Sequence, residues 1–189
     1  LILGDGALGQ MMEPVVFRDQ EPIDLPDKPW ALTGTGGARP HNTITSIYIK
    51  ADVLEAFNQK LQAKYAEISR KEVRAECLNC EDADILMVAF GTCSRISRSV
   101  IPVASAEGVR VGLIRPITLW PFPSEVIAQA ASQPSVKAVL TIELSCGQMV
   151  EDVRLAVNGM KPVRFLGRSG GNLPTQQEIL QKIMKMAGR

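Results

Sequence analysis

Between Ala83 and Pro123 the chain reads ADILMVAFGTCSRISRSVIPVASAEGVRVGLIRPITLWPFP. An apolar run ends at Gly91-Thr92 and a helical segment follows. A second apolar run ends at Arg115-Pro116, and a Pro- and aromatic-rich turn closes the stretch. This is a strand–helix–strand unit. Near-continuous apolar runs, rather than alternation, are what parallel strands need when helices cover both faces of their sheet. The unit restricts the chain to an α/β fold and gathers its ligand-capable polar residues just after the two strands.

The rest of the chain from Val73 onward repeats the pattern. Strands are predicted near 73–77, 83–90, 109–114, 136–142 and 162–166, with helices near 93–106, 123–132, 146–158 and 175–187. Ser145 with Gln148, and Thr175 with Glu178, have capping-box spacing at two helix starts. Pro102 falls inside the first helix, where a kink or short break is expected. Upstream the composition changes. Residues 14–50 hold five of the twelve prolines and read as an extended connector, long enough to lie against another domain or subunit. Residues 51–72 carry Val53, Leu54, Phe57, Leu61, Tyr65 and Ile68 at helical spacing. Asp52 and Glu55 form a possible capping box, and the helix reads as a packed arm. Residues 1–13 begin with the apolar run Leu1-Ile2-Leu3, read as a strand, and stop at Pro14. A strand starting at the first residue, with no Met, leads us to expect the C-terminal part of a longer subunit.

Composition narrows the function. Of 189 residues 46% are apolar and 22% charged, enough for one good core, and the formal net charge is +1. Lys and Arg are scattered along the sequence, so neither nucleic acid nor a membrane is an expected partner. No apolar run reaches the ~20 residues of a membrane span, and these residues show no signal-peptide pattern. Four cysteines without a dense framework fit a reducing, cytoplasmic setting.

Two motifs invite a ligand and fail in context. Gly4-Asp5-Gly6-Ala7-Leu8-Gly9 has dinucleotide-fingerprint spacing, but Pro14 cuts short the helix that must aim at a pyrophosphate, and Asp24 sits in a Pro-flanked segment. Gly4-Asp5-Gly6 also resembles the start of the thiamine-diphosphate metal motif, yet the first following Asn, Asn42, is too distant. A plain strand-to-helix turn accounts for it. Cys77-Leu78-Asn79-Cys80 is a lone C-x-x-C, and the single His41 cannot complete a metal site with it. Cys93 and Cys146 begin helices after strands, with packing as the default reading of both. No metal ligand and no catalytic residue is assigned.

Strand ends are better candidates, because ligands of open α/β sheets gather there, facing turn amides and helix N-termini. They single out Gly91, Thr92, Arg115, Glu143, Gly147 and Gln148 as ligand- or interface-contact residues. Thr92 and Gln148 equally suit helix caps, and Arg115 an ion pair, with Glu143 among its possible partners. The loop Gly167-Arg168-Ser169-Gly170-Gly171 before the last helix is a similar case.

Taken in order, GDGALGQMMEPV, AFGTCSRISRS, VGLIRPITLWPFP, IELSCGQMVEDVRLAV and GRSGGNLPTQQEIL resemble the C-terminal half of the alpha subunit of 2-oxoacid:ferredoxin oxidoreductases, of the branched-chain or 2-oxoglutarate type. The resemblance covers essentially the whole chain. It implies a three-layer domain like the C-terminal domain of transketolase over 73–189, with a five-stranded, mostly parallel sheet whose first strand is antiparallel. It further implies that 1–13 is the tail of a pyrimidine-binding domain, that 14–50 is the connector and that 51–72 is the connecting helix. The implied reaction is oxidative decarboxylation of a 2-oxoacid to an acyl-CoA with electrons passed to ferredoxin. Thiamine diphosphate, Mg²⁺, iron–sulfur clusters and coenzyme A serve the whole complex, and none is expected in this part of it. The implied partners are a thiamine-diphosphate-binding subunit, a gamma subunit, a ferredoxin-like subunit and ferredoxin itself. Cys93 and Cys146 depart from the family's usual wording. Alternatives are a free-standing α/β binding or scaffold module, or the matching domain of a transketolase or a 2-oxoacid dehydrogenase beta subunit.

Overall fold

The computed structural model describes residues 1–17, 19 and 24–189; Pro22, one of the connector prolines, lies outside them. The chain divides into two compact units, Leu1–Met11 with Ala66–Arg189, and Met12–Tyr65.

The larger unit carries five strands in the order β1-β3-β2-β4-β5. β1 (Ala75–Leu78) is antiparallel to β3 (Val111–Pro116), while β2 (Ile85–Ala89), β3, β4 (Ala138–Glu143) and β5 (Val163–Gly167) run parallel. β2 and β4 are buried throughout because helices cover both faces. Along β2 the side chains alternate between two cores, Ile85 and Met87 to one and Leu86 and Val88 to the other. On the first face lie α3 (Gly91–Ala106) and α6 (Gln176–Ala187), with Val100, Ile101, Ile179 and Ile183 in the core. On the second lie α4 (Ser124–Ala131) and α5 (Met149–Val157), with Ile127, Val153 and Val157. The expected three-layer α/β architecture with an antiparallel first strand is present.

The start of α6 follows the sequence. Thr175 Oγ1 accepts from the Glu178 amide at 3.1 Å and Glu178 accepts from the Thr175 amide at 2.7 Å, a complete capping box. Four expectations fail. Leu1–Leu3 form no strand and stay exposed, since neither sheet edge of this chain pairs with them. They lead instead into the short helix α1 (Gly6–Gln10). α3 continues through Pro102 without the short break, one of the two expected outcomes, and the ring is on the exposed side. α5 begins at Met149 with no side-chain cap from Gln148, so the Ser145–Gln148 box does not form. Its amides have another acceptor, described below.

The fourth concerns α2 (Ala51–Lys71). It starts one residue before Asp52, so Asp52 lies in the first turn, favourable there for the helix dipole but not a cap. No residue of α2 is fully buried; Val53, Leu54 and Tyr65 are exposed, while Phe57, Leu61 and Ile68 are half-buried. In the smaller unit, Tyr48 stacks on Phe57 with ring centroids 4.6 Å apart. Asn42 Nδ2 donates to the carbonyls of Pro29 and Ala31, at 2.8 and 3.2 Å, and thereby ties the Pro-rich segment to itself.

At the amino-terminal edge of the sheet, Asp84 accepts from Arg110 Nε at 3.0 Å and from the Arg110 amide at 3.2 Å. Arg110 holds the Asp84 carboxyl down from 3.8 to about 2. A depressed carboxylate stabilises the fold above its unfolded pKa and loses that contribution as pH falls through the folded one. We expect Asp84→Asn to cost on the order of 1 kcal/mol at pH 7, because Arg110 is largely solvated. The gap between variant and parent should close between about pH 3.8 and about pH 2 in acid titrations followed by circular dichroism.

Candidate functional site

The chain moves from β2 outward to β3 and then returns to the other side of β2 with β4. The carboxyl ends of β2 and β4 therefore flank a topological switch point, where the loops leave in opposite directions and open a crevice. A cleft of about 190 Å³ lies there, lined by Phe90, Gly91, Cys93, Glu143, Ser145 and Gln148 among others. Its remaining wall is Leu3, Gly4, Asp5 and Leu8 from the N-terminal segment.

Each helix that opens at this point needs acceptors for its first amides. α3 has Phe90 at its N-cap and gets no help from that side chain. Its acceptor is Asp5. The Thr92 amide donates to Asp5 Oδ2 at 3.2 Å and the Thr92 hydroxyl to Oδ1 at 2.9 Å, while Oδ1 also accepts from the Leu8 amide at 2.8 Å. One carboxylate thus caps α1 and α3 together. Gly91 makes this possible: its φ is +56°, and a Cβ there would lie 3.1 Å from Asp5 Oδ2. Burial pushes the Asp5 carboxyl up, but the Leu8 and Thr92 donors outweigh it and its pKa lies below 3.8.

α5 is served by Glu143. The side chain is buried, and the amides of Gln148, Met149 and Val150 donate to its oxygens at 3.0–3.2 Å. Ser145 Oγ adds a donor at 3.0 Å and itself accepts from the Gly147 amide at 3.1 Å. Glu143 is therefore a helix cap supplied by the preceding strand. Cys93 sits between the two acids; burial first, then the Asp5 and Glu143 charges, pushes its thiol up to about 12. It is a packed thiol and not a nucleophile.

Of the predicted contact residues, Gly91, Glu143 and Gln148 line the crevice, Thr92 and Gly147 join the cap hydrogen bonds beside it, and Arg115 lies outside it. Strand order puts β2 between β3 and β4, so Arg115 cannot reach Glu143. Its cross-strand neighbour is Glu76, which it meets at 3.2 Å, and Arg98 of α3 meets the same carboxylate at 2.8 Å. Thr92 does not cap its own helix with its side chain, as the sequence suggested; it donates to the residue that does. Asp5 was the missing participant. Asp followed three residues on by an amide it can accept from is an N-cap signal, but nothing in sequence spacing links position 5 to position 92.

The crevice residues do not fit a diphosphate. The two helix N-termini that would receive one already hold carboxylates of this chain, and a second anion there would be repelled. Cluster chemistry has no better fit. Cys77 and Cys80 stand at the end of β1, far in fold position from buried Cys93, and burial followed by the neighbouring Cys77 pushes the Cys80 thiol up to about 12. Among the described residues no group of three His, Cys, Asp or Glu side chains could hold a metal ion. Among them, too, no helix is long and apolar enough to cross a membrane.

Asp5→Ala removes the shared cap. We expect a loss of about 1 kcal/mol at pH 7 and faster proteolysis around Leu8–Met11. Because the folded pKa is depressed, the difference from the parent should vanish as pH falls through it, which urea unfolding at pH 7 and pH 2 would show.

Comparison with known proteins places the chain in a family. The family model for the pyruvate:ferredoxin oxidoreductase core domain II matches residues 83–179. Ketoisovalerate oxidoreductase subunit VorB of Methanothermobacter thermautotrophicus is 44% identical over 188 residues, covering 100% of this chain and 52% of that protein. The 2-oxoglutarate synthase subunit KorA of Methanothermobacter marburgensis is 40% identical over 106 residues, 56% of this chain and 28% of that one. Among solved structures, the 2-oxoglutarate:ferredoxin oxidoreductase from Magnetococcus marinus, with 2-oxoglutarate, coenzyme A and succinyl-CoA bound, superposes with a TM-score of 0.66 at 20% identity. That match covers 82% of this chain and 28% of that one. A split-gene transketolase superposes at 0.52, covering 61% and 41%. The chain belongs to the pyruvate:ferredoxin oxidoreductase core domain II family, and it spans about half the length of the curated relatives it matches over its whole length.

Proposed function

We propose that the chain is part of the alpha-type subunit of a cytoplasmic 2-oxoacid:ferredoxin oxidoreductase, where it acts as a subunit-contact domain and is inactive alone. The complete enzyme converts a 2-oxoacid and coenzyme A to an acyl-CoA and CO₂ while reducing ferredoxin. Residues 73–189 are the transketolase C-terminal-like domain, 1–13 the tail of a pyrimidine-binding domain, and 14–50 and 51–72 the connector and helix that reach another domain or subunit. Thiamine diphosphate, Mg²⁺, iron–sulfur clusters and coenzyme A belong to other parts of the complex.

The observation that carries the reading is the self-capped switch point. Asp5 and Glu143 take up the helix amides that a ligand anion would need, so this domain offers a rigid surface in place of a reaction centre. Whole-chain similarity to a ketoisovalerate oxidoreductase subunit supports a branched-chain 2-oxoacid as substrate. Residues Gly91, Thr92, Arg115, Glu143, Gly147 and Gln148 are thereby positioning or contact residues.

The assembled complex should reduce ferredoxin or a viologen dye with a branched-chain 2-oxoacid and coenzyme A. Absence of reduction with branched-chain 2-oxoacids, 2-oxoglutarate and pyruvate alike would overturn the assignment. Arg115→Ala tests the contact role. Arg98 keeps Glu76 paired and the Arg115 pair is exposed, so the stability change should stay below about 1 kcal/mol. Sedimentation of the complex should show weaker assembly; intact assembly and full activity would leave Arg115 a purely structural ion pair.

A further inference from the structure

The opposite edge of the sheet, at the amino-terminal ends of β4 and β5, has a different character. A cleft of about 480 Å³ is lined by Lys137, Arg164, Lys182 and Lys185, together with Ala138, Pro162 and Met186. Four of its seven lining residues are cations and none is an acid. In a chain whose formal net charge is only +1, that is a strong local segregation. The sequence hides it, because the four come from a loop, a strand and two successive turns of α6.

Among the described residues, Lys137 alone of the four reaches a carboxylate, Asp84 at 3.4 Å, and that acid is already held by Arg110 at 3.0 Å. Arg164, Lys182 and Lys185 converge without counter-charges. Like charges gathered in a concavity repel one another, and low-dielectric walls focus the field they produce. A charged edge strand discourages unwanted strand pairing, which explains Arg164 on β5. It does not explain why α6 turns Lys182 and Lys185 into the same hollow.

We propose that this cleft binds an anion carrying two or more phosphate groups. The volume lies in the ~300–1,000 Å³ range of small-molecule sites. The number of cations exceeds what a single carboxylate could neutralise, and Arg164 supplies a planar fork suited to phosphate oxygens beside the point charges of the lysines. The compact concavity favours a small ligand over an extended nucleic acid or the flat surface of an acidic protein. The inference is independent of the function proposed above, because none of these residues lines the switch-point cleft.

The test uses the full-length subunit in its complex, with sodium tripolyphosphate and ATP as probes and NaCl to match ionic strength. Calorimetric titration and thermal unfolding of the parent should show saturable binding of either probe beyond the NaCl control. In Lys182→Gln/Lys185→Gln, affinity should fall at least about tenfold, equivalent to about 1.4 kcal/mol. The unliganded variant should melt no lower than the parent, because repulsion has been relieved; a merely structural role would lower it. Binding of ATP alone would add a role for Met186 against the base, while binding of both would assign recognition to the phosphate chain. Equal binding by variant and parent, or shifts that NaCl reproduces, would overturn the site. Loss of co-purifying subunits in the variant, with no phosphate binding by the parent, would also overturn it and assign the patch to an acidic protein surface.

Discussion

Glu143→Ala is expected to destabilise the larger unit by at least about 3 kcal/mol, the largest effect of any single polar substitution in the chain. The side chain is buried and receives three backbone amides and a serine hydroxyl. Removing it leaves the buried amides of Met149 and Val150 without acceptors, at roughly 1–3 kcal/mol for each group left unsatisfied. Glu143→Gln keeps the shape but turns an NH₂ group towards amides that need an acceptor, so about 2 kcal/mol should be lost. Gln148→Ala is the control. Its side chain makes no cap bond, and its cost should stay within about 0.5 kcal/mol. Urea unfolding followed by far-ultraviolet circular dichroism separates the three. A large Gln148 effect with a small Glu143 effect would restore the capping box that the sequence suggested.

The second large effect is Gly167→Ala, with an expected cost of about 3 kcal/mol. A Cβ at Gly167 would lie 2.3 Å from the Ser145 carbonyl oxygen and 2.3 Å from Phe165 Cζ. The phenyl ring can rotate, but the carbonyl belongs to the turn that holds Ser145 Oγ against Glu143. The turn must move, and with it the cap of α5. Double-mutant analysis should therefore find Gly167→Ala and Glu143→Ala strongly non-additive, since both act on one seat. Simple addition of the two costs would show that the close approach of β5 to the turn is independent of the cap.

These two positions show what the sequence carries and what it leaves open. The apolar runs of β2, β3 and β4 were legible because burial on both faces demands unbroken apolar residues. The α6 capping box was legible because both partners lie within one turn of each other. The Ser145–Gln148 pattern has the same spacing and fails, because a buried carboxylate two residues earlier competes for the same amides and wins on charge. Arg115 illustrates a different limit. Its position at a strand end was evident, but its partner depends on strand order, which puts Glu76 beside it and Glu143 two strands away. Asp5 is the extreme case: its contact with Thr92 crosses 87 positions and exists only because the chain folds its N-terminal segment over the switch point. The basic cleft belongs to the same class, since Lys137, Arg164 and the Lys182–Lys185 pair come from three separate elements and meet only at one edge of the sheet.

The central claim is that this domain closes its own switch point with Asp5 and Glu143 and leaves cofactor chemistry to other parts of the complex. Amide hydrogen exchange of the assembled complex, with and without thiamine diphosphate and pyrophosphate, tests it most directly. The amides of Thr92, Met149 and Val150 should be well protected already and should not change when either compound is added. New protection at those amides, or its loss as the compound displaces a carboxylate, would contradict the account and place a ligand anion at the crevice.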